Sequence, residues 1–155
     1  MLDVTSDAQT FASAGLHADS VDVVLTNPPF NDPARHRASP DKAREAAHLA
    51  TRGMLASWIH AARRILKTGG PFVMIWREDG IAEILGALDR GFGSLVILPV
   101  HGNVTSPAIR VLVRATKGGR APTRMLAPLI LNDEASGPAV RSILAGEGVL
   151  PLAAP

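Results

Sequence analysis

The stretch that most constrains this chain is residues 21–30, Val-Asp-Val-Val-Leu-Thr-Asn-Pro-Pro-Phe. Branched aliphatic residues crowd its first half, and such a run closed by a turn predicts an inner strand of a parallel sheet. Two consecutive prolines then stop the strand. Neither has an N–H for a ladder, and each restrains the residue before it to extended geometry. Asn27 and Phe30 are thereby held on a stiff turn at the strand's carboxyl end, the edge at which open α/β sheets bind ligands.

The flanking pattern supports that setting. Residues 2–5 read as the tail of a strand, and 6–15 as a short helix capped by Ser6 or Asp7. A polar loop over 31–40 leads to a helical pattern over 41–67, with Leu55, Trp58, Ile59, Ala62, Ile65 and Leu66 on one face. Gly53 is a candidate break in it. Arg63, Arg64 and Lys67 stand in its closing turns, where cations suit the helix dipole. A strand over 71–76 and a helix over 81–88 follow, then strands over 95–100 and 108–115. The loop 101–107 is too short for a crossover, so these two strands should be antiparallel neighbours. An apolar patch at 126–131 and a weak helix at 139–144 lie in a looser tail.

This order predicts an α/β fold whose sheet is mostly parallel with an antiparallel final pair. None of the glycine clusters (69–70, 91–93, 118–119) follows a strand and opens a clear helix, as a nucleotide-binding turn would. The chain therefore reads as the carboxyl-terminal part of a larger sheet domain. Residues 1–120 form that partial domain, and 121–155 a tail that packs on it or extends from it.

Composition bounds the function. The 155 residues, 46% hydrophobic, suffice for one domain with a core. No apolar run reaches the roughly 18 residues of a membrane span, and the start lacks the pattern of a signal peptide. Without cysteine there is no disulfide framework and no thiolate metal site. His48 and His60 lack metal-ligand spacing, so no metal and no membrane are expected, and a cytoplasmic location is. Charge is uneven: residues 1–34 carry five acids and no Lys or Arg, whereas 35–124 carry fifteen Lys and Arg against six acids. A balance of +9 there fits an anionic partner such as nucleic acid. Arg110 and Arg114 share one face of the last strand by its period of two. Trp58 and Trp76 read as core.

The strand ending in Asn27-Pro28-Pro29-Phe30 resembles the Asn/Asp-Pro-Pro-Tyr/Phe signature of class I S-adenosylmethionine-dependent methyltransferases that act on amino groups. Arg-His-Arg-Ala-Ser-Pro-Asp at 35–41, Ala-His at 47–48, Leu-Lys-Thr-Gly-Gly at 66–70 and Pro-Ala-Ile-Arg-Val-Leu-Val at 107–113 are similar to the tRNA1(Val) adenine N6-methyltransferases. The resemblance implies S-adenosyl-L-methionine as cofactor and RNA, tRNA foremost, as partner. It implies that Asp3 accepts from the cofactor's adenine amine with Val4 beside the ring. Asn27, Pro28, Pro29 and Phe30 become the catalytic turn. The Asn27 side-chain carbonyl, which also borders the cofactor, and the Pro28 backbone carbonyl accept the target amine's N–H bonds. Phe30 stacks on the base, worth about 1–3 kcal/mol. Arg35, His36, Arg37 and Arg110 are the implied RNA contacts.

The family's Gly-rich first strand and ribose-binding acid have no counterpart in these residues. A strand edge that such a neighbour would cover invites self-association. Ribosomal RNA guanine N2-methyltransferases and release-factor glutamine N5-methyltransferases share the Asn-Pro-Pro turn. A non-catalytic remnant or binding module is the reading from another class.

Overall fold

In the strand Pro71–Trp76, burial alternates: Phe72, Met74 and Trp76 are fully buried on one side, while Pro71, Val73 and Ile75 are half-covered on the other. That period of two marks a strand between two layers, and the sheet is built outward from it. The structure is a computed structural model describing residues 2–28, 40–134 and 136–153, with backbone alone at 40–52 and 153. Strand β1 (Val24–Thr26) lies parallel to β2 (Pro71–Trp76). On the other side of β2 runs β4 (Ala108–Lys117), antiparallel, and beyond it β3 (Phe92–His101), antiparallel to β4. Two short strands, β5 (Arg124–Met125) and β6 (Leu129–Ile130), pair parallel with the free side of β3. Among the described residues β4 alone runs against the other strands. This is the expected α/β sheet, mostly parallel with an antiparallel final pair, in the order β1-β2-β4-β3-β5.

Helices α2 (Pro40–Ile65) and α3 (Ile81–Leu88) cover one face. Leu55, Ile59 and Ala62 of α2, then Leu66, meet Phe72, Met74 and Trp76 of β2, Val111, Val113 and Ala115 of β4, and Ile84 and Leu88 of α3. Phe72 and Phe92 stack tilted, with ring centroids 5.4 Å apart, a geometry that suits the ring quadrupoles. The opposite face carries a smaller cluster, Val96, Leu98 and Leu152, joined by Leu112, Leu126, Leu129 and Leu150. The tail thus returns to the sheet through its leucines. Helix α4 (Gly137–Leu144) precedes that return and buries Val140.

Several local expectations change. Residues 2–6 form a turn, not a strand: the Ser6 N–H donates to the Asp3 carbonyl, and both the Thr5 N–H and hydroxyl donate to Asp3 Oδ1. A short side chain offering such bonds competes successfully with a ladder. The helix after it is α1 (Ala8–Ser13), and Asp7 is its cap, accepting from the Thr10 N–H at 2.8 Å. Gly53 does not divide α2, which runs through it; an interior glycine costs a helix about 1 kcal/mol, less than packing its apolar stripe returns. Strand β1 is three residues long and stands at the edge of the described sheet rather than inside it. Val23 is 51% and Leu25 74% exposed. Val21 contributes an isolated parallel bridge to Leu66.

Phe72 has no exposed surface, so Phe72→Ala is expected to cost about 3–5 kcal/mol of unfolding free energy in urea titrations. Val104→Ala, at a position 68% exposed, is expected to stay within about 0.5 kcal/mol of the parent.

Candidate functional site

The site starts from the register of β1. Thr26 is opposite Met74, so Asn27 comes level with Ile75, one residue before β2 ends. Trp76 in turn faces Val111, and Val111 faces Pro99. The carboxyl ends of β1, β2 and β3 and the start of β4 therefore form one edge, as the doubly wound arrangement requires of a ligand site. At that edge the Pro28 ring is fully buried, while Asn27 beside it is exposed. The strand's last hydroxyl, Thr26 Oγ1, is buried and has no hydrogen-bond partner among the described residues. Such an atom is costly unless something fills its need. Nothing in the sequence singles out Thr26; its burial does.

Beyond Trp76 the backbone turns at once. Arg77 Nε pairs with Asp79 Oδ1 at 3.1 Å, and Glu78–Gly80 forms a 3-10 turn. Gly80 lies against the Trp76 indole, where a Cβ would stand 2.5 Å from Nε1. Across the sheet, His101 Nδ1 lies 2.7 Å from the Ser106 carbonyl. A carbonyl only accepts, so Nδ1 is the donor of this contact. Arg110 is opposite Val100 on the sheet face it shares with Leu112 and Arg114, and its Nη1 donates to the Ile109 carbonyl at 2.6 Å.

Not all expected site residues are gathered there. Val4 and Thr5 border a cleft of about 650 Å³ with Arg63, Arg64, Gly86 and Arg90, and Asn27 is not in its wall. Asp3 is exposed, and its carboxyl lies below the usual carboxylate range, chiefly because the Thr5 N–H and then the Thr5 hydroxyl bond its charged form. Pro29, Phe30, Arg35, His36 and Arg37 lie outside the described residues. Among the described residues no group of three or more His, Asp or Glu could hold a metal ion, and no helix is long and apolar enough to cross a membrane.

No protein-family model matches the chain, and no curated protein matches it. Solved structures do. A predicted O-methyltransferase from Agrobacterium tumefaciens superposes with a TM-score of 0.75 at 30% identity, over 96% of this chain and 62% of that one. This chain has a methyltransferase fold. A candidate DNA modification methylase from Thermus thermophilus superposes with a TM-score of 0.51 at 21% identity, over 77% of this chain and 56% of that one. A structure of the same Thermus protein complexed with S-adenosyl-L-methionine matches with a TM-score of 0.46. The chain thus spans less than two thirds of the length of the methyltransferases it matches.

The Asp3 turn gives a titration test. Because its folded pKa is lowered, its bonds to Thr5 contribute fully above the usual carboxylate pKa and are lost as pH falls through the lowered one. Thr5→Val removes the hydroxyl and keeps the N–H. The Asp3 carboxyl, followed by NMR, is expected to titrate at higher pH in that variant; an unchanged midpoint contradicts the hydroxyl's part.

Proposed function

We propose that this chain is the substrate side of an S-adenosylmethionine-dependent N6-adenine methyltransferase acting on tRNA. The observation that carries the reading is the end of β1, where an exposed Asn27 side chain stands beside a buried Pro28 at the sheet's carboxyl edge. The likeness to the Agrobacterium protein, at 30% identity over nearly the whole chain, supports methyl transfer as the reaction class. Asn27 favours nitrogen over oxygen as the acceptor atom, since a side-chain carbonyl takes hydrogen bonds from an amine's two N–H groups.

The chemistry asked of these residues is positioning. An exocyclic amine is a poor nucleophile because its lone pair is delocalised into the ring. The carbonyls of Asn27 and Pro28 accept its two protons, pull the nitrogen toward tetrahedral geometry and localise the lone pair. No strong base is required, because the product nitrogen sheds its proton after transfer; orientation and electrostatics supply the effect. Phe30 stacks on the extruded base.

The available donors and acceptors suit S-adenosylmethionine in kind. Asp3 uses Oδ1 for both bonds to Thr5, which leaves Oδ2 as an acceptor; Thr5 walls the cleft that excludes Asn27, so the assignment of the cofactor's adenine to Asp3 rests on the resemblance alone. When bound, the cofactor would supply an electrophilic methyl on a sulfonium. Arg35, His36, Arg37 and Arg110 are proposed to hold RNA phosphates, in keeping with the basic middle section. The exposed edge of β1, with Leu25 outermost, supports self-association through that edge.

Nucleoside mass spectrometry of tRNA and rRNA from a deletion strain tests the substrate. Loss of N6-methyladenosine from tRNA is expected, while loss of N2-methylguanosine from rRNA would assign the ribosomal alternative. In the complete enzyme, Asn27→Ala is expected to lower kcat at least about 100-fold, as loss of a transition-state hydrogen-bond acceptor does, with the thermal midpoint unchanged. Full activity in that variant removes the mechanism.

A further inference from the structure

The cleft beside α2 and α3 is not part of the edge just described. Val21 bridges Leu66, and six residues, bent at Asp22 and regular strand only at Val24–Thr26, carry the chain on to Asn27, at most about 20 Å away. Arg63 and Arg64, in the last turn of α2, therefore sit near the opposite pole of the sheet from Asn27. Arg90 lies between α3 and β3 at the same pole, and Thr5, Ser57 and His60 complete the polar wall.

Two of the three arginines are held in place by bonds to neighbouring segments. Arg63 Nη1 donates to the Arg90 carbonyl at 3.0 Å, and its stem passes over Gly91. Gly91 has φ +96°, and a Cβ there would stand 2.8 Å from Arg63 Cδ, so glycine is required twice over: for the backbone and for the arginine lying on it. Arg64 Nη1 donates to the Ser6 carbonyl at 3.1 Å, while its guanidinium stacks 5.0 Å from the Phe11 ring centroid. Each of these bonds uses one of a guanidinium's five N–H donors. The rest are held in place at little further entropic cost, the condition under which arginine is the residue of choice for phosphate. Asp7 is the carboxylate that feels Arg64, and Asp89 precedes Arg90, so the cleft's own side chains remain net cationic.

We infer that this cleft is a second nucleic-acid contact, gripping a backbone phosphate of the substrate remote from the reacting base. The inference rests on the reading that the substrate is nucleic acid. A remote contact of this kind adds affinity equally in ground and transition states, so it lowers KM and leaves kcat alone. A cleft of about 650 Å³ with open sides admits a strand passing through it.

The test uses this 155-residue chain and a fluorescently labelled single-stranded RNA of about twenty nucleotides, with affinity measured by anisotropy at several salt concentrations. Arg90 is exposed, so Arg90→Gln should leave the thermal midpoint unchanged. It is expected to weaken binding about five- to tenfold at low salt and to reduce the salt slope by about 0.7, the value for one phosphate contact on a single strand. Gly91→Ala, which displaces Arg63, is expected to act in the same direction. Unchanged affinity and slope in Arg90→Gln overturn the inference. It is equally overturned if inorganic phosphate or adenosine monophosphate binds the parent as tightly as the RNA does, because the site then serves a small phosphate. Methyl transfer is read separately in the complete enzyme. Arg90-dependent RNA binding without any methyl transfer sinks the reaction and spares the surface; the reverse spares the reaction.

Discussion

The pairing of β4 with both β2 and β3 is the constraint on which the rest of this structure depends. Its residues alternate, with Val111, Val113 and Ala115 buried under the helices and Arg110, Leu112 and Arg114 on the opposite face. A slip of one residue would exchange the two sets and drive two arginines into the core, so the register is strongly specified. Once it is set, Trp76, Val111 and Pro99 stand in one row. The ends of β1, β2 and β3 then come to a common edge. The site's geometry is a consequence of core packing.

The opposite pole is held by a different kind of interaction. Lys117 Nζ reaches both Asp19 Oδ1 and the Leu66 carbonyl at 2.7 Å, and Lys67 pairs with Asp22 at 2.7 Å. The pair at Asp22 is exposed on both sides and contributes little by itself. The bond from Lys117 to a backbone carbonyl is half-buried, and it ties the end of β4 to the turn between α2 and β2. Arg63 and Arg64 lie on the same side of the fold, each bonded to a carbonyl of a neighbouring segment. Cations near the carboxyl end of a helix are favourable for the dipole alone. Here they also order the wall of a cleft.

Much of this was legible in the chain itself. The strand Pro71–Trp76, the helix Ile81–Leu88 and the antiparallel pair after it follow from period, caps and loop length, because each is set by neighbours a few residues apart. Asp7 as a cap was legible for the same reason. Thr26 was not, since a buried hydroxyl looks like any strand threonine until its surroundings are known. The turn at Asp3 was missed because two bonds to Thr5 outcompeted a strand that no described partner supports.

By itself the sequence determined the α/β class, the stiff Asn-Pro-Pro turn and the uneven charge, each a matter of covalent geometry or composition. Only the tertiary structure decided that β1 stands at an edge and that Val4 borders a basic cleft which does not include Asn27. It also decided that Arg63, Arg64 and Arg90 converge there. Those outcomes depend on which distant segments meet, and burial of the two apolar faces of the sheet selects those meetings.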